Sequence, residues 1–157
     1  NKKINWKISV PADLKTFVDE NALSTILRNL VSNAIKFTSA DGEVSIYAEA
    51  VGKKVIIKVS DTGIGIPENQ LRRIFNAYEQ IGRPNQGVGL GLSICQQLSE
   101  LMEGEISCES EVGRGSVFEL SLPVDVVDDY AHNQATEVTA KLMPILPIRI
   151  LKVAIKK

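Results

Sequence analysis

A chain of 157 residues, 44% hydrophobic and 24% charged, has the length and composition of one globular domain with a real core. A formal net charge of −1 gives no general attraction to nucleic acid or to an anionic membrane, and no apolar run approaches the roughly 18 residues of a membrane span. Cys95 and Cys108 are too few for a disulfide framework, so the expected compartment is the reducing cytoplasm. No signal-peptide pattern opens the sequence, and Asn1 in place of an initiator Met points to a piece of something longer.

The alternation of Ile4, Trp6, Ile8 and Val10 predicts a strand over 4–10, ended by Pro11-Ala12-Asp13. Residues 16–19 are expected to add a short second strand. Asp19 and Asn21 are both candidate N-caps for the helix that follows. In that helix Leu23, Ile26, Leu27, Leu30, Val31 and Ala34 recur at steps of three and four, the spacing of one buried stripe. Asn29, Asn33, Lys36 and Phe37 cluster beside the stripe rather than opposite it. Two carboxamides one turn apart at the margin of a core carry a desolvation cost and need partners. Those partners are either the helix's own backbone or a ligand.

Ser39-Ala40-Asp41-Gly42 reads as a turn, and 44–51 alternates as a strand. Gly52-Lys53 is a tight hairpin signal, and 55–60 is a β-branched run expected to be more buried. Asp61-Thr62-Gly63-Ile64-Gly65-Ile66-Pro67 breaks all periodicity. A short helix is predicted over 68–75, a loop over 76–89 and a second amphipathic helix over 90–102. Strands over 104–110 and 116–123 flank the turn Glu111-Val112-Gly113-Arg114-Gly115. Hairpins impose antiparallel pairing, so the expected fold class is α+β: a two-layer sandwich with a mixed, mostly antiparallel sheet and helices on one face. The domain expected to carry the chemistry covers 1–124. Beyond it, 125–141 is polar and aperiodic, a linker, and 144–155 is basic and β-branched, one more strand.

The chemistry is expected at the two glycine-rich turns. Gly63 and Gly65 follow Asp61 at the end of a buried strand, where glycine admits close approach by a flat or anionic ligand. A carboxylate there must be hydrogen-bonded, and an exocyclic amine is a good donor for it. Gly87-Val88-Gly89-Leu90-Gly91-Leu92 opens a helix, whose first amides with adjacent glycines suit phosphate. Neither turn fits a dinucleotide fingerprint, because the second run follows a loop and not a strand, and no Walker loop occurs.

These stretches together resemble the catalytic domain of sensor histidine kinases. Asn29-Leu30-Val31-Ser32-Asn33-Ala34-Ile35-Lys36-Phe37-Thr38 is similar to the family's N box, and Asp61 to Pro67 to its first glycine box. Ile74-Phe75-Asn76-Ala77-Tyr78 resembles the F box, Gly87 to Leu92 the second glycine box, and Gly113-Arg114-Gly115-Ser116-Val117-Phe118 the terminal one. The resemblance covers roughly 5–123 and implies the Bergerat-type ATP-binding sandwich shared with gyrase, a heat-shock chaperone and mismatch-repair ATPases. It implies ATP and Mg²⁺ as ligands. Asn33 would hold Mg²⁺ through its side-chain oxygen, with Asn29 close by. Lys36 would meet phosphate, Phe37 would lie against the adenine, and Asp61 would accept from its amine. Gly63 and Gly65 would admit the base, and Gly87, Gly89 and Gly91 would wrap the phosphates. Ile66, Leu90, Leu92 and Ser116 complete the implied binding set. Residues between Tyr78 and Gly87 would form a lid, with Phe75 and Tyr78 as core and lid-anchoring residues and Arg83 as either the cation for a γ-phosphate or a solvated loop arginine.

Some positions depart from the family pattern: Ala77 stands where proline is usual, Tyr78 where phenylalanine is usual, and Val88 for a Thr or Ser. The only histidine, His132, lies in the polar tail without an acidic neighbour and does not look like a phosphoacceptor. The implied activity is therefore transfer of the γ-phosphoryl group of ATP to a histidine on a phosphoacceptor domain of the same parent, upstream of a response regulator. Neither nucleic acid nor membrane contact is expected of this domain, whether or not its parent is membrane-anchored. Residues 147–153 faintly resemble the first strand of a receiver, so 125–157 is expected to be either the start of such a domain or a tail. The alternatives are a conformational clamp ATPase of the same fold and a degenerate nucleotide-binding scaffold. Clamp ATPases carry a glutamate one turn before the metal-binding asparagine to activate water. Here that position is Asn29, which offers no useful base.

Overall fold

The computed structural model describes residues 2–12, 14, 16, 18–79 and 89–123. The sequence-predicted linker and strand after 124, His132, Arg83, Gly87 and most of the expected lid lie outside these residues.

Helix α1 (Glu20–Phe37) starts where its first amides find an acceptor: Asp19 Oδ1 takes the N–H groups of Asn21 at 2.8 Å and Ala22 at 2.9 Å. Asp19 is thus the N-cap and Asn21 is inside the helix. The same bonds correct the expected strand over 16–19, because Asp19 is committed to the helix and none of the described residues there is in a strand. The helix ends at Thr38, fully buried, whose hydroxyl donates back to the Ala34 carbonyl at 2.6 Å. Leu23, Ile26, Leu27, Leu30, Val31 and Ala34 are all buried, as their spacing predicts.

Five strands, β1 (Asn5–Ser9), β2 (Glu43–Val51), β3 (Lys54–Asp61), β4 (Glu105–Glu111) and β5 (Gly115–Pro123), form one sheet in the order β1-β2-β3-β5-β4. β1 pairs parallel to β2, and every other pair is antiparallel. Gly52 and Lys53 make the two-residue turn between β2 and β3. The run over 55–60 alternates rather than being buried throughout: Val55, Ile57, Val59 and Asp61 face inward, while Ile56, Lys58 and Ser60 are partly exposed. The outer face carries polar pairs instead, such as Lys58 with Glu119 at 2.9 Å.

Helix α3 (Gly91–Leu101) packs on α1 and on β4, with Cys95 fully buried against the Ile26 carbonyl. Helix α2 is shorter than the expected 68–75: it spans Glu68–Leu71, after which bonds from Arg73 N–H to Gln70 O and from Asn76 N–H to Arg73 O tighten the chain into turns. Ile74 still reaches the core and Phe75 packs against it. The result is a two-layer α+β sandwich. The inward faces of β2, β3 and β5 meet α1 in a single apolar core, and the ends of α1 and β3 come together at one edge of that core.

Candidate functional site

The loop after β3 is held from two sides. The end of α1 holds it on one, since Ile64 N–H donates to the Phe37 carbonyl at 3.3 Å. The β4–β5 hairpin holds it on the other: Gly113 N–H donates to Ile64 O at 2.8 Å, and Ile66 N–H to Ser110 Oγ at 2.8 Å. Both glycines are sterically required. A Cβ on Gly63 would stand 2.5 Å from the Phe37 carbonyl oxygen. Gly65 has φ +69°, and its missing Cβ would run into the Glu111 carbonyl.

These constraints leave an open cleft of about 440 Å³ between α1, the loop, β5 and the start of α3. Asn33 and Phe37 line it from α1, Ile64, Gly65 and Ile66 from the loop, and Leu92 from α3. Asp61, Ser116 and Phe118 line the sheet side. The walls are mostly apolar, with a few polar groups at fixed places, the ordinary build of a small-molecule site.

Asp61 is the ionisable group of the cleft. It is 8% exposed, and its Oδ1 accepts the Gly63 N–H at 2.8 Å. Burial pushes its carboxyl above the usual range, and the backbone N–H groups of Gly63 and Ser116 pull partly against that. Among the described residues no cation pairs with it in a salt bridge. A buried carboxylate held by amides alone is an acceptor prepared for a neutral donor.

Of the residues singled out in the sequence, Asn33, Phe37, Asp61, Gly65, Ile66, Leu92 and Ser116 are gathered round the cleft. Gly63 is buried beneath Asp61. Asn29 does not line the cleft: its Nδ2 donates to the Thr25 carbonyl at 3.1 Å, one turn back, and its Oδ1 faces Gly91. Lys36 is exposed at the end of α1, with Nζ 4.7 Å from the centroid of the Phe37 ring. Leu90 is the N-cap of α3 and gives no side-chain cap bond. Tyr78 is 73% exposed, which rules out a core role. Its N–H donates to the Gly89 carbonyl at 3.0 Å, so the chain on either side of 80–88 is tied together there. Ile64 and Phe118 line the cleft without having been singled out. Ile64 was legible as the residue between two required glycines, and Phe118 as an inward position of an alternating strand.

The residue range 18–126 matches the model of the family described as histidine kinase-, DNA gyrase B-, and HSP90-like ATPase. The autoinducer 2 sensor kinase/phosphatase LuxQ of Vibrio vulnificus is 44% identical over 135 residues, covering 79% of this chain and 16% of that protein. The sensor histidine kinase RcsC of Escherichia coli K12 is 43% identical over 110 residues, covering 68% of this chain and 12% of that one. The chain therefore spans about a sixth or less of the length of these curated relatives. Among solved structures, a nucleotide-free catalytic domain of histidine kinase ThkA has a TM-score of 0.69 at 32% identity, covering 77% of this chain and 80% of its own. Full-length ShkA in complex with AMPPNP has a TM-score of 0.67 at 37% identity, covering 78% of this chain and 25% of its own. A cleft floored by a buried carboxylate, with glycines where side chains would collide, agrees with those likenesses: the chain belongs to the histidine kinase-, DNA gyrase B-, and HSP90-like ATPases, as an ATP-binding catalytic domain of the sensor histidine kinase kind.

Proposed function

We propose that residues 1–124 bind ATP in this cleft with the adenine on Asp61, and present the γ-phosphoryl group to a histidine on a phosphoacceptor domain of the parent protein. The observation that carries the reading is Asp61, a buried carboxylate that, among the described residues, only backbone amides hold. Phe37, Ile64, Ile66, Leu92 and Phe118 supply the apolar walls that a flat base needs. The phosphates extend toward the N-terminus of α3, where Gly91 keeps the helix end bare of a side chain. Lys36, at the end of α1, supplies positive charge near the same mouth.

Among the described residues, no three His, Cys, Asp or Glu gather to hold a metal. Neutral oxygens shared with phosphate suit Mg²⁺, and Asn33, half-buried and lining the cleft, fits that demand. When bound, Mg²⁺ supplies positive charge against the charge that develops on the transferred phosphoryl group. Asn33 orients the phosphates, and Asp61 fixes the base. The clamp-ATPase reading needs a base at Asn29, and this side chain is a carboxamide bonded back to its own helix. Response regulators are the expected downstream partners, and 125–157 is read as a tail or as the approach to a further domain.

The test is calorimetry with ATP and GTP. A carboxylate at the six-position accepts from an amine and repels a carbonyl oxygen, so ATP should bind roughly a hundredfold more tightly, on the order of 2–3 kcal/mol. Equal affinity for the two would sink the assignment.

A further inference from the structure

Ser110 sits outside the cleft on β4, yet three groups that shape the cleft converge on its hydroxyl. Its Oγ lies 2.7 Å from the Gly115 carbonyl oxygen, 2.8 Å from the Ile66 amide nitrogen and 2.9 Å from Ser116 Oγ. A serine hydroxyl has one proton to donate and two lone pairs to accept with. A carbonyl cannot donate, so the Ser110 proton goes to Gly115. An amide cannot accept, so Ile66 N–H takes one lone pair. The remaining lone pair can only accept from Ser116, whose proton is thereby turned away from the cleft. The opposite polarity between the two serines would leave two oxygens 2.7 Å apart at Gly115 with no hydrogen between them.

We infer that Ser110 is a positioning residue for base selection: it makes the Ser116 hydroxyl acceptor-only toward the cleft. Asp61 stands opposite Ser116 in the β3–β5 register, and both line the cleft. As a carboxylate, Asp61 also offers only acceptors. Among the described residues, the sheet end of the cleft thus presents two acceptors and no side-chain donor, a surface complementary to a purine bearing a six-amino group and offering nothing to one that lacks it. The inference rests on the adenine reading of the cleft.

The probe is purine riboside triphosphate against ATP, which differ only in the six-amino group, titrated into the full chain. The unaltered chain should prefer ATP. Ser110→Ala frees the Ser116 hydroxyl to rotate and donate, and should lower the ratio of ATP to purine riboside triphosphate affinity by about tenfold, the scale of one hydrogen bond. Ser110→Thr keeps the hydroxyl and should keep the ratio. A merely structural role would weaken both nucleotides together and leave the ratio alone, so an unchanged ratio in folded Ser110→Ala overturns the inference. If that variant does not fold, Ser116→Ala decides by sign. Loss of an acceptor costs ATP alone and lowers the ratio, whereas a ratio unchanged or raised overturns it. No preference in the unaltered chain would overturn the adenine reading and the Ser110 inference together. A clear preference that Ser110→Ala leaves intact overturns only the latter.

Discussion

Asp61 is placed at a cost to the empty protein. Burial raises its carboxyl above the ordinary range, so between its unfolded and folded values the folded state holds more protons than the unfolded one. The sign follows: stability linked to Asp61 is present below the ordinary carboxylate range and is lost as pH rises through its raised folded value. Nucleotide binding should run the other way, because the ionised form is the better acceptor for an amine. Asp61→Asn should therefore make the empty domain at least as stable at neutral pH and remove part of the pH slope on the acid side, while weakening ATP by roughly a hundredfold. Denaturant melts at several pH values, with calorimetry at each, check both signs. An Asp61→Asn protein that melts more easily than the parent at neutral pH would mean that the carboxylate is a structural anchor. Cys95 makes a useful contrast: burial pushes its thiol up to about 12, yet it lies wholly inside the α1–α3 contact and touches no part of the cleft. A shifted group marks a site only where it faces a cavity.

At the scale of elements, the loop between β3 and α2 is where backbone geometry decides function. Gly65→Ala would hold a non-glycine residue at φ +69°, about 1–2 kcal/mol unfavourable by itself, and would drive its Cβ into the Glu111 carbonyl. The loop must then leave the hairpin, and Ile66 loses its bond to Ser110. The expected outcome is a lower melting temperature and severely weakened ATP binding, read by thermal unfolding with and without nucleotide. A variant that binds ATP as the parent does would show that the cleft does not need this loop geometry. Much of this was legible beforehand, because the signals are local. The stripe on α1, the Gly52-Lys53 turn and the two glycines each declare themselves within a few residues. What was not legible depended on partners far away in sequence. Residues 16–19 have the composition of a strand, but Asp19 is recruited by the amides of α1. The helix over 68–75 shortens because its later amides bond three residues back instead of four. Asn29 and Asn33 look alike in sequence. Only the fold separates them, turning Asn33 to the cleft and leaving Asn29 bonded to Thr25 and against Gly91. The role of Ser110 needed the register of β4 on β5 before its three partners could be seen.

On the scale of the whole molecule, the described residues hold a cleft and little of what phosphoryl transfer needs beyond it. In such transfers the protein mainly positions groups and stabilises charge, and the attacking atom must come from somewhere. Among the described residues there is no histidine, and the place where clamp ATPases keep a water-activating glutamate is Asn29, a carboxamide already bonded to its own backbone. Bound ATP should therefore be hydrolysed far more slowly than by a clamp ATPase. Adding a separate phosphoacceptor domain should restore transfer only weakly, because covalent linkage supplies an effective concentration on the order of millimolar that a dilute partner lacks. Asn33→Ala should abolish even that residual transfer, by removing from the cleft the side-chain oxygen proposed to hold Mg²⁺. Asn29→Glu removes the amide that donates to Thr25 and puts in its place a carboxylate that cannot, free to turn to the phosphates, and should raise hydrolysis measurably. The assay follows radiolabelled ATP both as free phosphate and as acid-labile, base-stable label on protein. Brisk phosphate release by the unaltered chain, undiminished in Asn33→Ala, would mean that the cleft serves an ATPase and not a kinase.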